Sequence, residues 1–182
     1  MDPMARAFCI LCLASMTHNA LAETTQFGAF NIGATRQILH HKGDRNYSTN
    51  HDGLYFGIKR GVKFSAPFTL YGVLDGAAGE NYKNGLYAAS LQVGSGFVTR
   101  FAVPFVQAGY ELGNLPLDMK SERQYRMHGA TIEMGAFVPL VDKFGIEASY
   151  RYARPRSNIP ISLTTQNHRF MLSVGYYDFA LY

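Results

Sequence analysis

The sequence predicts an all-β protein, an eight-stranded antiparallel up-and-down transmembrane β-barrel. Three observations predict it. Polar and apolar residues alternate with period two through most of the chain after residue 22. The segments between those stretches are alternately long and short. Finally, no run of eighteen apolar residues offers a spanning helix, and at 182 residues with 16% charged side chains the chain is neither disordered nor a coiled coil.

Residues 1–22 read as a signal peptide. Arg6 supplies the positive start, Ala7 to Met16 the short apolar core, and Ala20-Leu21-Ala22 the small-x-small cleavage site. Cleavage between Ala22 and Glu23 would remove Cys9 and Cys12, leaving 23–182 as a cysteine-free barrel domain. The net charge of +4 comes from scattered basic residues and does not indicate nucleic acid as a partner.

Successive side chains of a strand point to opposite faces, so alternation in sequence assigns the faces directly. From residue 144, Phe144, Ile146, Ala148, Tyr150 and Tyr152 oppose Gly145, Glu147, Ser149 and Arg151. From His168, Phe170, Leu172, Val174 and Tyr176 oppose Arg169, Met171, Ser173 and Gly175. Near Ala130, Ile132, Met134, Ala136 and Val138 oppose Thr131, Glu133 and Gly135. Near Leu54, the residues Leu54, Phe56, Ile58 and Val62 oppose Tyr55, Gly57, Lys59 and Lys63. Further strands are expected near 25–38, 67–78, 86–98 and 101–113, making eight, each long enough to cross a bilayer at a tilt.

The expected connectors near 39–51, 79–85, 114–127 and 157–166 are long and polar, whereas those near 65–66, 99–100 and 140–143 are short. Long outer loops and short periplasmic turns follow this rhythm, which puts both ends of the barrel in the periplasm. Alternation alone leaves open which face points inward, and a secreted lipocalin-like binder would hide the apolar one. The polar face favours the membrane reading. It is rich in glycine, suiting a narrow interior, and sets Lys59, Lys63, Arg151 and Arg169 against Asp75, Glu111, Glu133 and Glu147. Four cations against four carboxylates allow an interior ionic network, because buried charges must pair.

The leader, the eight segments, PFVQAGYELG at 104–113, FGIEASYRYA at 144–153 and the aromatic terminus resemble the small eight-stranded outer-membrane barrels. That group includes the OmpA transmembrane domain, OmpX/Ail, the opacity-type proteins and YfaZ-like members. The resemblance implies a monomer in the bacterial outer membrane, with a structural or adhesive role through its outer loops. It implies as partners the lipid bilayer and lipopolysaccharide, the periplasmic chaperones and barrel-assembly machinery, and a host or surface ligand.

Charges on the apolar face test this register. Arg36 and Arg154 fall at outer strand ends, where cations snorkel or meet lipopolysaccharide phosphates. Arg60 must lie near the periplasmic edge, or the strand register slips by one. Asp178 lies near the inner end, where a bulge would shift the register.

No catalytic constellation, cofactor motif or defined metal motif emerges from the spacing. An outer-membrane lipid-modifying enzyme of the lipid A deacylase kind remains the competing function, but neither His128 nor His168 has a serine two residues on. The first loop gathers His40, His41 and His51 with Asp44 and Asp52, which reads as a solvated polar loop before it reads as a zinc or copper site. The third loop offers Lys120, Arg123, Tyr125 and Arg126 as contacts for an acidic ligand.

Overall fold

The structure, a computed structural model, describes residues 24–42, 46–64, 67–79, 86–116, 124–157 and 164–178. Eight long strands run through them: β1 (Thr25–Lys42), β2 (Tyr47–Lys63), β3 (Phe68–Ala78), β4 (Leu86–Phe97), β5 (Val103–Pro116), β6 (Gln124–Val141), β7 (Phe144–Ala153) and β8 (Thr164–Tyr177). After β7 a two-residue ladder, Arg156–Ser157, continues along β6. Each strand pairs antiparallel with its chain neighbours, and β1 pairs with β8, so the sheet closes on itself. Closure leaves no sheet edge, which is the condition for strands to cross hydrocarbon.

The apolar rows face outward. Twenty-five large apolar side chains are 40–77% exposed, among them Ile32, Leu74, Leu91, Met134 and Leu172, while Lys59, Glu133, Glu147, Arg151 and Arg169 are at most 1% exposed. A soluble barrel would need the reverse, since monomers in water rarely expose so large an apolar surface. The outward face carries an aromatic belt near each end. On the outer side Tyr152 and His168 rings lie 5.2 Å apart, and Tyr150 accepts or donates at 2.7 Å to His168 Nδ1. On the other side Phe68 meets Phe97 at 5.2 Å and Phe144 meets Tyr176 at 5.2 Å. His168 to Tyr176 spans roughly 26 Å of strand before tilt shortens it, which matches a hydrocarbon band between two girdles.

Strand ends differ from expectation at the outer side. The polar stretches 39–51, 114–127 and 157–166 are partly strand: β1 runs on to Lys42, β2 begins at Tyr47, β5 reaches Pro116 and β6 begins at Gln124. Beyond the bilayer both strand faces can be polar, so hydropathy stops distinguishing ladder from loop. His40, His41, His51 and Asp52 therefore stand on paired strands, not in a loop. The periplasmic turns are short, the shortest being Asp142-Lys143, where Asp142 takes φ 49°. Aspartate tolerates that left-handed conformation better than most residues.

Both doubtful registers are regular. Arg60 pairs with Gly28 and Gly72 and points outward three residues from the periplasmic end of β2, within snorkelling reach of the edge. Asp178 donates its backbone N–H to Gly28 O at 2.7 Å and stays in phase with Tyr176, so no bulge intervenes. Its carboxylate takes a 2.5 Å hydrogen bond from Lys143, which holds it below its ordinary pKa.

The narrow interior imposes small residues where strands approach. A Cβ at Gly33 would lie 2.1 Å from Leu172 O and 2.4 Å from Ser173 Cα, so alanine there forces the β1–β8 backbone apart. Gly28 has nothing within 4 Å of the same position. Gly33→Ala is expected to destabilise the folded barrel by about 1–3 kcal/mol in urea titrations, and Gly28→Ala to leave it within about 0.5 kcal/mol. Equal effects at the two positions would contradict the close approach.

Candidate functional site

The lumen is filled in layers. Towards the periplasm Phe27, Tyr71, Val73, Phe105, Phe137 and Tyr177 form an apolar plug, with the Phe137 and Tyr177 rings 4.0 Å apart at their centroids. These inward aromatics escaped the sequence reading, which kept apolar side chains for lipid. Their signal was phase: Phe105, Phe137 and Tyr177 occupy the positions that elsewhere on their strands carry polar residues.

Above the plug sits the first ion pair. Lys59 Nζ donates to Glu147 Oε2 at 2.7 Å and to Tyr177 Oη at 2.9 Å, with the Phe105 ring centroid 4.2 Å away. The Tyr177 hydroxyl donates in turn to Glu147 Oε2. Higher again, Arg151 is the hub. It reaches Asp75 at 2.5 Å, Glu133 at 2.6 Å and Glu111 at 3.1 Å, and donates to Ser90 Oγ at 3.1 Å. Arg169 grips Glu111 through both oxygens, at 2.7 and 3.0 Å, and Gln92 Nε2 donates to Asp75 Oδ2 at 2.8 Å. The planar guanidinium suits this, since its several donors serve several carboxylates at once.

The structure therefore brings together seven of the eight interior charges read from the sequence. Lys63 differs: it is the last residue of β2, half-buried, one four-residue step beyond Lys59 at the periplasmic mouth. Among the described residues the sealed centre holds three cations and four carboxylates, not four of each. Strand phase put Lys63 on the inner face, but phase carries no information about depth.

Near the top of the lumen His41 and His51 are buried and bond to Thr165 and Thr49, each at 3.2 Å. His40 instead faces outward, with Nδ1 2.7 Å from Ser48 Oγ. These two are direct ladder partners, so the register alone explains their meeting. No group of three or more potential metal ligands occurs among the described residues. Arg36 forms a bidentate pair with Asp52 on the outward face, at 2.7 and 2.8 Å, which neutralises both charges beside lipid. Lys120 and Arg123, proposed as loop contacts, lie outside the described residues, as does Asp44; so does the side chain of Tyr125, whereas Arg126 is exposed at the outer end of β6. Residues 1–22 lie outside them too.

A closed barrel with lipid-facing apolar rows, two aromatic belts and a plugged ionic lumen defines a transmembrane barrel of the bacterial outer-membrane kind. The chain belongs to the outer membrane protein beta-barrel domain family, whose profile matches residues 8–177. It is an outer-membrane β-barrel protein. Among solved structures it is similar to Ail, the attachment invasion locus protein of Yersinia pestis, in complex with the heparin analogue sucrose octasulfate, at 16% identity and TM-score 0.57, covering 84% of this chain and 98% of that one. It is also similar to Neisserial surface protein A, at 14% identity and TM-score 0.50, covering 81% and 97%. At such identities the likeness concerns the fold. None of the curated proteins compared matches the chain.

Proposed function

We propose that this protein is a surface-contact barrel: a plugged, non-conducting anchor whose outer strand ends bind polyanions. The observation that carries the reading is the charge of the outer rim. Lys42, Arg126, Arg154 and Arg156 are all exposed there. Among the described residues the exposed carboxylate at that end is Asp52, and Arg36 already neutralises it. Such a rim attracts sulfated or phosphorylated ligands. The complex of Ail with a heparin analogue supports the same chemistry on a similar fold. Lipopolysaccharide phosphates are a second polyanion within reach of Arg154, which stands two residues above the Tyr152 belt. The role in this reading is binding; among the described residues no carboxylate is hydrogen-bonded to the imidazole of the outward His40–Ser48 pair.

The test is retention of the folded protein on immobilised heparin. Each cation near an anionic surface contributes roughly 1 kcal/mol, so each of Lys42→Gln, Arg126→Gln, Arg154→Gln and Arg156→Gln is expected to weaken binding on the order of fivefold, and to lower the eluting salt. Wild-type protein that passes through at low salt, or a quadruple variant retained as strongly as wild type, refutes the reading.

A further inference from the structure

By composition His40 belongs with His41 and His51 in one polar stretch. The fold separates them: His41 and His51 are buried in the lumen, and His40 turns outward to meet a histidine from the other end of the chain. On the β1–β8 ladder His40 is paired with Gln166 and Ile38 with His168, so the two histidines are diagonal neighbours on the outward face. Their ring centroids lie 5.2 Å apart, with the ring planes at 74°. Both are half-buried in the outer aromatic belt, where the Tyr152 ring packs edge-on against His168.

The hydrogen bonds of the two rings fix which edges face each other. His40 Nδ1 lies 2.7 Å from Ser48 Oγ on β2, and His168 Nδ1 lies 2.7 Å from Tyr150 Oη on β7. Around the wall the strands run β2, β1, β8, β7, so the two Nδ1 atoms turn to opposite flanks, away from the β1–β8 seam. Nδ1 and Nε2 lie on opposite edges of an imidazole, and the two Nε2 edges therefore turn towards each other across the seam. A hydroxyl that accepts from Nδ1–H leaves the lone pair on Nε2, the tautomer a metal ion requires, and a hydrogen bond on the far nitrogen is what orients most metal-bound histidines. Two imidazoles bound tetrahedrally to one ion at its usual bond length put their centroids about 5 Å apart, the spacing seen here. Edge-to-face packing has the same spacing, but it does not require both Nδ1 atoms to turn away from the seam.

We propose that His40 and His168 bind one divalent transition-metal ion, zinc or copper, through their Nε2 atoms, with water completing its coordination. The ion clamps the seam at which the first and last strands close the barrel. Imidazole nitrogen selects such ions over magnesium and calcium, which take oxygen ligands. The same face carries Lys42 and Arg154 above the pair and the Arg36–Asp52 ion pair below it. Net charge therefore does not attract a dication here, and the two nitrogen bonds hold it.

The test is urea unfolding of the folded full chain, carrying no affinity tag, in zwitterionic micelles at neutral pH, with EDTA or with increasing zinc chloride. Zinc raises the folding equilibrium constant by up to about tenfold for each tenfold rise of the free ion above its Kd. His40→Asn and His168→Asn each abolish that rise, and magnesium chloride does not produce it. Copper(II) on the wild type gives an electron paramagnetic resonance spectrum with two nitrogen ligands, reduced to one in His168→Asn or, if that variant does not fold, in His40→Asn. The proposal is overturned by a wild-type midpoint indifferent to zinc, by an equal response to magnesium, or by a rise that survives in either variant. A wild-type copper spectrum without two nitrogens overturns it as well, and needs no variant.

Discussion

Arg151→Ala is expected to destabilise the barrel by about 3–5 kcal/mol, because it strands Asp75, Glu133 and part of the Glu111 contact in a lumen that water does not reach. Removing one side of a buried network costs more than the network is worth, since the remaining charges stay desolvated. The readout is the urea midpoint of the folded protein in micelles, together with the heat-modifiable gel band that reports a folded barrel. Arg151→Lys keeps the charge but not the fork that serves three carboxylates, and should fall between wild type and alanine. Adding Asp75→Asn and Glu133→Gln to Arg151→Met should recover much of the loss, since a neutral set has less to desolvate. An alanine variant within about 0.5 kcal/mol of wild type would mean that the network contributes little.

The second large effect belongs to the opposite face. Leu74 is 60% exposed, its ladder partners are Ile58 and Leu91, and it lies in the middle of the lipid-facing band. Leu74→Arg should cost about 2–4 kcal/mol, and Val62→Arg, one residue before the periplasmic end of β2, only about 0–1 kcal/mol. The difference between the sites matters more than either value, because it reports depth in the bilayer. Arg60, beside Val62, shows that the natural chain already carries a cation at that level. In a water-soluble barrel of the same strands with the apolar face turned inward, Leu74→Arg would bury a charge in the core and also be costly, whereas Arg151 would be exposed and its replacement nearly neutral, so it is the Arg151 variant that separates the two orientations.

The strand faces were legible because a barrel side chain has only two destinations, lipid or lumen, and the two demand opposite polarity. That is why Phe144–Tyr152 and Phe170–Tyr176 could be assigned residue by residue. The rule weakens where the environment is no longer two-sided. Above the bilayer, Leu39–Lys42 and Tyr47–His51 pair as strands, yet their composition reads as loop. Below the ionic layers the lumen turns apolar, so Phe105, Phe137 and Tyr177 break the polar-in pattern while keeping its phase. Arg36 looked like an isolated liability on the lipid side, and Asp52 like part of a polar loop, until the β1–β2 register made them neighbours.

The amino-acid order by itself determined the period, the strand number, the outward rows and the identity of the charges turned inward, since each depends on residues adjacent in the chain. Only the tertiary structure decided which charges meet. Asp75, Glu111, Glu133 and Arg151 come from four strands and converge because closure of the sheet brings opposite walls within side-chain reach. Depth along the lumen was settled the same way: Lys59 reaches Glu147 on the far wall in the sealed layer, whereas Lys63, one four-residue step along the same strand, lies at the mouth.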